Sequence, residues 1–141
     1  MIGVDTNVLV RYLVQDEPRQ AARATAFIRT ASLRNESFFV NNIVLCELVW
    51  VLQSAYNYPR EVISDALEKL LLAEHFEIED RDTVWTALAL YRERHGDFAD
   101  YLIGSKNLAY GCDRTVTLDR SLRNQPAFEQ LRFRDDLGHF D

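Results

Sequence analysis

Two rhythms of hydrophobic positions run along this chain of 141 residues. Short apolar or β-branched runs, such as Met1 to Val4 and Thr115-Val116-Thr117-Leu118, read as strands only a few residues long. Longer segments between them read as helices. On this reading strands fall near residues 2–4, 38–40, 76–78, 115–118 and 131–133, and helices near 6–14, 18–34, 42–57, 59–73, 81–95 and 97–110. Strands that alternate with helices call for an α/β fold with a mostly parallel sheet of about five short strands and crossover helices on its flanks. Punctuation agrees with the pattern. Pro18 and Pro59 suit first-turn positions, where a missing N–H does no harm; Asn41 or Asn42 can cap the helix that follows; and Gly111-Cys112-Asp113 ends the last long helix. The chain has no internal repeat and no low-complexity segment.

Four acidic residues break this pattern in an informative way. Asp5 follows the first strand directly, in Asp5-Thr6-Asn7, and so sits at a strand's carboxyl end, the edge of an open α/β sheet where ligands bind. Any of the three residues can instead cap the next helix through its unpaired N–H groups. Glu47 is the only charged residue in the run Ile43 to Leu52. On a helix its neighbours three and four positions away are Ile43, Val44, Trp50 and Val51, an apolar face on which a carboxylate is expected to be paired, protonated or bound to something. Asp97 and Asp100 open the last long helix one turn apart. Asp97 is explained as an N-cap or first-turn residue favoured by the helix dipole, leaving Asp100 to face a pocket with Ile103 and Gly104 on the same side. Asp119 repeats the first case, because it ends the strand Thr115–Leu118 and can serve either a turn or a site.

If the fold gathers these side chains, they make a site for a hard cation. Three or four carboxylates within a few ångströms cannot all stay ionised without a counter-ion, and oxygen ligands select Mg²⁺ or Mn²⁺ over zinc. With one or two such ions, a polarised water can attack a phosphodiester in line.

Asp5-Thr6-Asn7, Glu47-Leu48, Asp97-Phe98-Ala99-Asp100-Tyr101-Leu102-Ile103 and Thr117-Leu118-Asp119 together resemble the motifs of the PIN-domain nucleases, and within them the VapC-type toxins of toxin–antitoxin systems. The motifs stand in the family's order and span residues 1 to about 133, nearly the whole chain. The resemblance implies a PIN-like three-layer α/β sandwich and a ribonuclease that leaves a 5′-phosphate and a 3′-hydroxyl. It implies Mg²⁺ or Mn²⁺ held by Asp5, Glu47, Asp100 and Asp119, with Thr6, Asn7, Asp97 and Thr117 in support. It also implies an RNA substrate, a small antitoxin protein as partner, and a homodimer. The aromatic and apolar hairpin at 42–57 and 59–73, with Trp50, Tyr56, Tyr58 and Leu70-Leu71-Leu72, is the expected dimer surface.

Composition modifies this picture in three ways. A hydrophobic content of 48% supports one domain, with residues 1–133 as its core and 134–141 as a tail. A net charge of −6 argues against a general nucleic-acid binder, which needs clustered Lys and Arg. The basic residues are nonetheless mostly Arg, with Lys69 and Lys106 the only lysines, and Arg suits bidentate phosphate contact. Arg11, Arg114, Arg120 and Arg123 lie near the acidic sites in sequence and are the expected RNA contacts. Cys46 and Cys112 have no partner at metal or disulfide spacing and are read as small core residues, and His75, His95 and His139 are assigned to the surface. With no apolar run long enough for a membrane and no signal-peptide pattern at Met1–Asp5, a cytoplasmic location is expected.

Two other classes lose ground. A haloacid-dehalogenase-like phosphotransferase needs a second Asp where Asn7 stands, and a receiver domain needs a lysine later than Lys106. The remaining competitor is a catalytically silent module that keeps the PIN shape and binds a protein partner.

Overall fold

In the computed structural model, which describes residues 1–132, helices and short strands follow one another in the α/β order read from the sequence. Strands β1 (Ile2–Gly3), β2 (Phe38–Val40) and β3 (Phe76–Ile78) pair in parallel in the order β1-β2-β3, with Ile2 opposite Phe38 and Phe38 opposite Phe76. Parallel neighbours need long crossovers. Helices α1 (Thr6–Val14) and α2 (Pro18–Leu33) make the first, and α3 (Asn42–Ser54) and α4 (Arg60–Leu72) the second. Helices α5 (Arg81–Glu93) and α6 (Phe98–Tyr110) then lead to β4 (Thr115–Thr117), a 3-10 turn (Arg120–Leu122) and β5 (Phe128–Gln130).

The core forms where the strand and helix periods meet. Phe38 and Val40 are fully buried on β2, and the ring of Phe38 packs on Phe27 and Phe76 with centroids 5.9 and 5.6 Å away. Helix α3 presents Val44, Leu45, Leu48, Val49 and Leu52 inward, at the spacing of one helical stripe. Leu70 and Leu71 of α4 join the same core, each 2% exposed. The hairpin therefore has less spare apolar surface than its sequence shows. Its exposed large side chains are Ile43, Trp50, Val62 and Leu72, while Tyr56 and Tyr58 pack on each other at 5.6 Å.

The last two strands form a separate ladder among the described residues: β4 pairs in parallel with β5, Thr115 opposite Phe128 and Thr117 opposite Gln130. The strand expected at 131–133 lies three residues earlier, at Phe128–Gln130; Phe133, His139 and the expected tail lie outside the described residues. The shift has a physical cause. Thr115 N–H donates to Ala127 O and Leu131 N–H to Thr117 O, and Phe128 lies against Gly104 of α6, so packing fixes the register of a strand whose Glu129 and Gln130 look non-strand-like in sequence.

Smaller corrections follow the same logic. Pro59 is the N-cap of α4 rather than a first-turn residue. Cys46 is half-buried beside the core, where burial raises its thiol pKa, but Cys112 lies exposed just past Gly111, where the chain has left the packed layer. His75 and His95 are at the surface, as expected.

Candidate functional site

The first carboxylate pair is built by β1 and α3. Asp5 caps α1 and accepts a hydrogen bond from its neighbour Thr6 N–H at 2.7 Å, because the chain turns from strand into helix at this residue. That turn buries Thr6, 7% exposed, and aims its hydroxyl at α3, where Thr6 Oγ1 donates to Glu47 Oε2 at 3.1 Å. Residues 41 positions apart in sequence are thus joined by one side-chain bond. Asp5, Thr6, Asn7 and Glu47 line the same cleft, of about 790 Å³.

Glu47 is on an exposed face, contrary to the sequence reading. The core stripe of α3 is Val44, Leu45, Leu48, Val49 and Leu52; Glu47 lies on the other side between Ile43 and Trp50, which are 71% and 67% exposed. Apolar neighbours along the helix did not mean burial here, because those neighbours are themselves in solvent. The carboxylate needs no compensating partner for stability, and the one hydrogen bond it accepts among the described residues, from Thr6, sets its direction.

The second group is built by α6 and the end of β4. Asp97 occupies the N-cap position of α6 without a side-chain cap bond, and Asp100 follows in the first turn. Partial burial pushes the Asp100 carboxyl above the usual aspartate range, and the charges of Asp97 and Asp119 push it the same way. Asp119, at the end of β4, accepts hydrogen bonds from Ser121 N–H (2.9 Å) and Ser121 Oγ (2.7 Å), which hold its carboxyl below that range. Thr117 Oγ1 accepts from Asp119 N–H at 3.0 Å and fixes the turn.

What brings Asp119 to Asp100 is a set of contacts that the sequence did not flag. Tyr101, 1% exposed, accepts a hydrogen bond at its hydroxyl from Gly96 N–H (2.8 Å) and donates one to Gln125 Oε1 (3.1 Å). Asn107 Nδ2 donates to Thr115 Oγ1 at 2.8 Å. Gly104 lets the Phe128 ring close on α6, since a Cβ there would stand 2.9 Å from Phe128 Cε2. Arg60 completes the support behind the loop, with its guanidinium 3.7 Å from the Tyr91 ring centre and donating to Tyr91 O and Gly96 O.

The structure therefore joins Asp5 to Glu47, and Asp100 to Asp97 and Asp119, as two neighbourhoods. Among the described residues no three Asp, Glu, His or Cys side chains are grouped closely enough to hold one metal ion. Asp5 and Asp119 each turn a carboxylate oxygen back onto a backbone N–H. In chemistry the residues fit a divalent hard cation: the donors are all carboxylate oxygens, and the charges of Asp97 and Asp119, which add to burial in raising the Asp100 pKa, are of the sign a cation relieves.

The arginines expected to contact RNA fare unequally. Arg11 reaches the cleft but is fastened to Gln20, Asp16 and Tyr56. Arg114 is ion-paired with Glu129, while Arg120 and Arg123 stand exposed around the 3-10 turn. Sequence proximity missed Arg23. It lines the cleft from α2 together with Phe27 one turn later, and the signal available was their four-residue spacing on one helix face.

Comparison with known proteins agrees with the motifs. Residues 2–127 match the PIN domain family. Over 120 residues the chain is 31% identical to a VapC ribonuclease of Aquifex aeolicus (strain VF5), covering 85% of this chain and 88% of that protein.

Proposed function

Because the chain belongs to the PIN-domain family, we propose that it is a cytoplasmic, Mg²⁺- or Mn²⁺-dependent endoribonuclease, the toxin of a toxin–antitoxin pair. It would work as a homodimer and be held in check by a small antitoxin protein. The observation that carries the reading is the Thr6–Glu47 hydrogen bond, which ties a helix carboxylate to the strand end that bears Asp5, at the mouth of one cleft.

Asp5, Glu47, Asp100 and Asp119 are the residues that would hold the ion, and Asp97 would support Asp100. Bound there, the ion supplies positive charge at the scissile phosphate and lowers the pKa of an attacking water. Glu47 Oε2 is occupied by the Thr6 hydroxyl, so Oε1 is left to orient that water and take its proton. The water oxygen bonds to phosphorus in line, the bond from phosphorus to the 3′ oxygen breaks, and that oxygen leaves as a hydroxyl after taking a proton from solvent, while Glu47 returns its own proton to solvent. The products are a 5′-phosphate and a 3′-hydroxyl. Asn7, exposed beside Asp5 in the cleft, is positioned to hydrogen-bond a phosphate oxygen.

Replacing Asp5 by Asn keeps its size and its capping oxygen while removing the charge. Cleavage of single-stranded RNA in Mg²⁺ or Mn²⁺ should fall below detection with the thermal midpoint nearly unchanged; retained cleavage would remove Asp5 from the mechanism. The competing reading, a silent interaction module, draws on the exposed Ile43 and Trp50 that flank Glu47. It predicts no metal-dependent cleavage by the unaltered protein.

A further inference from the structure

The cleft that begins at Asp5 and Glu47 continues along α2, and there its chemistry changes. Phe27 is 48% exposed, and the covered side of its ring packs on the fully buried Phe38, with centroids 5.9 Å apart and planes at 58°. An aromatic ring that rests on the core on one side and is open on the other offers a stacking surface for a flat ring. One turn earlier on the same helix, Arg23 faces the same cleft and has no ion-pair or hydrogen-bond partner among the described residues. Arg11, by contrast, is committed to Asp16, Gln20 and Tyr56, so Arg23 is the cleft arginine left to meet an incoming anion.

We propose that Arg23 and Phe27 form a subsite for one nucleotide of single-stranded RNA beside the scissile bond, with the base stacked on Phe27 and its phosphate held by the Arg23 guanidinium. The inference rests on the ribonuclease reading and extends it by assigning the substrate's track. Charge complementarity selects the occupant. The protein as a whole carries −6, and a strand of phosphates can approach only where positive charge is local and uncommitted. The aromatic surface one helical turn away supplies sequence-tolerant binding, and a duplex, whose bases are already stacked on each other, could not use it.

The test uses the full-length Asp5→Asn protein in Mg²⁺, so that the probe survives, and follows the anisotropy of a short fluorescein-labelled single-stranded oligoribonucleotide across a salt series. Arg23→Gln should weaken binding and lower the slope of log affinity against log salt by about 0.7, the value for one lost single-strand phosphate contact. Phe27→Ala should weaken binding by about 5- to 100-fold, Phe27→Trp should restore it, and on an abasic oligonucleotide Phe27→Ala should have no effect. Far-UV circular dichroism checks that each variant is folded, and Phe27→Leu, which keeps the packing on Phe38, should still lose the stacking contribution.

RNA affinity and salt slope unchanged in both Arg23→Gln and Phe27→Ala, while the parent enzyme still cleaves RNA, would overturn the subsite and leave this cleft to a peptide partner. A parent protein that neither binds nor cleaves RNA would overturn the underlying function as well.

Discussion

Thr6 is the residue on which the proposed chemistry turns most finely. Thr6→Val preserves shape in a buried position and removes only the hydroxyl that orients Glu47. Stability should fall by about 1 kcal/mol or less, because exposed Glu47 regains water. Metal-dependent cleavage should fall about 10- to 100-fold, the usual cost of losing a group that orients a ligand. A kcat equal to the parent's would show that the bond is ornamental. At Asp100 the prediction concerns pH. Its carboxyl pKa is raised in the folded protein, chiefly by burial, so ionising it opposes folding. The penalty is absent below the pKa of the unfolded chain, grows as pH rises toward the folded value, and stays constant above it. Asp100→Asn should therefore raise the denaturation midpoint of the EDTA-treated protein slightly at pH 7, and the gain should vanish in acid. An equal gain at all pH values would trace the effect to something other than charge. At this scale much was legible, because Asp5 and Asp119 announce themselves by ending strands. The exposure of Glu47 is not legible in the sequence, since a helix's apolar residues can lie on two faces and sequence does not say which one meets the sheet.

Among the elements, the joint between α6 and the β4–β5 ladder decides where Asp119 stands relative to Asp100. Gly104→Ala places a methyl 2.9 Å from the Phe128 ring and 3.3 Å from Ala127 Cβ. Overpacking costs about 1–3 kcal/mol, and the better helix propensity of alanine returns up to about 1. A net loss of about 1–2 kcal/mol in urea unfolding is expected, relieved by a second change, Phe128→Leu; no loss would mean that the ring moves aside freely. Tyr101→Phe leaves Gly96 N–H without its acceptor in a part-buried loop, with an expected cost of about 1–3 kcal/mol. Among the described residues the six helices and the first four strands could be read from the sequence pattern to within a few residues, since each has an apolar stripe or an apolar or β-branched run. The fifth strand could not. Phe128-Glu129-Gln130 carries no strand pattern and exists through its pairing with Thr115–Thr117 and its contact with Gly104. The division into two ladders is likewise a product of packing.

For the molecule as a whole, the measurable quantities are assembly and metal binding. Trp50 and Leu72 remain exposed on the α3–α4 hairpin after Leu70 and Leu71 are spent on the core, and no helix among the described residues is long and apolar enough to cross a membrane. Sedimentation at micromolar concentration should give twice the 16.4 kDa chain mass, and Trp50→Ser should shift it toward the monomer; a parent that sediments as a monomer would contradict the proposed homodimer. The central claim is that acidic residues from β1, α3, α6 and the end of β4 serve one divalent site, although they stand as two neighbourhoods in this structure. Titration of Mn²⁺ followed by water-proton relaxation tests it directly. The account predicts saturable binding that weakens at least tenfold in Asp5→Asn and in Asp100→Asn alike, because each change empties part of a shared site. Binding lost in one variant and untouched in the other would contradict it, as would a parent protein that takes up no manganese.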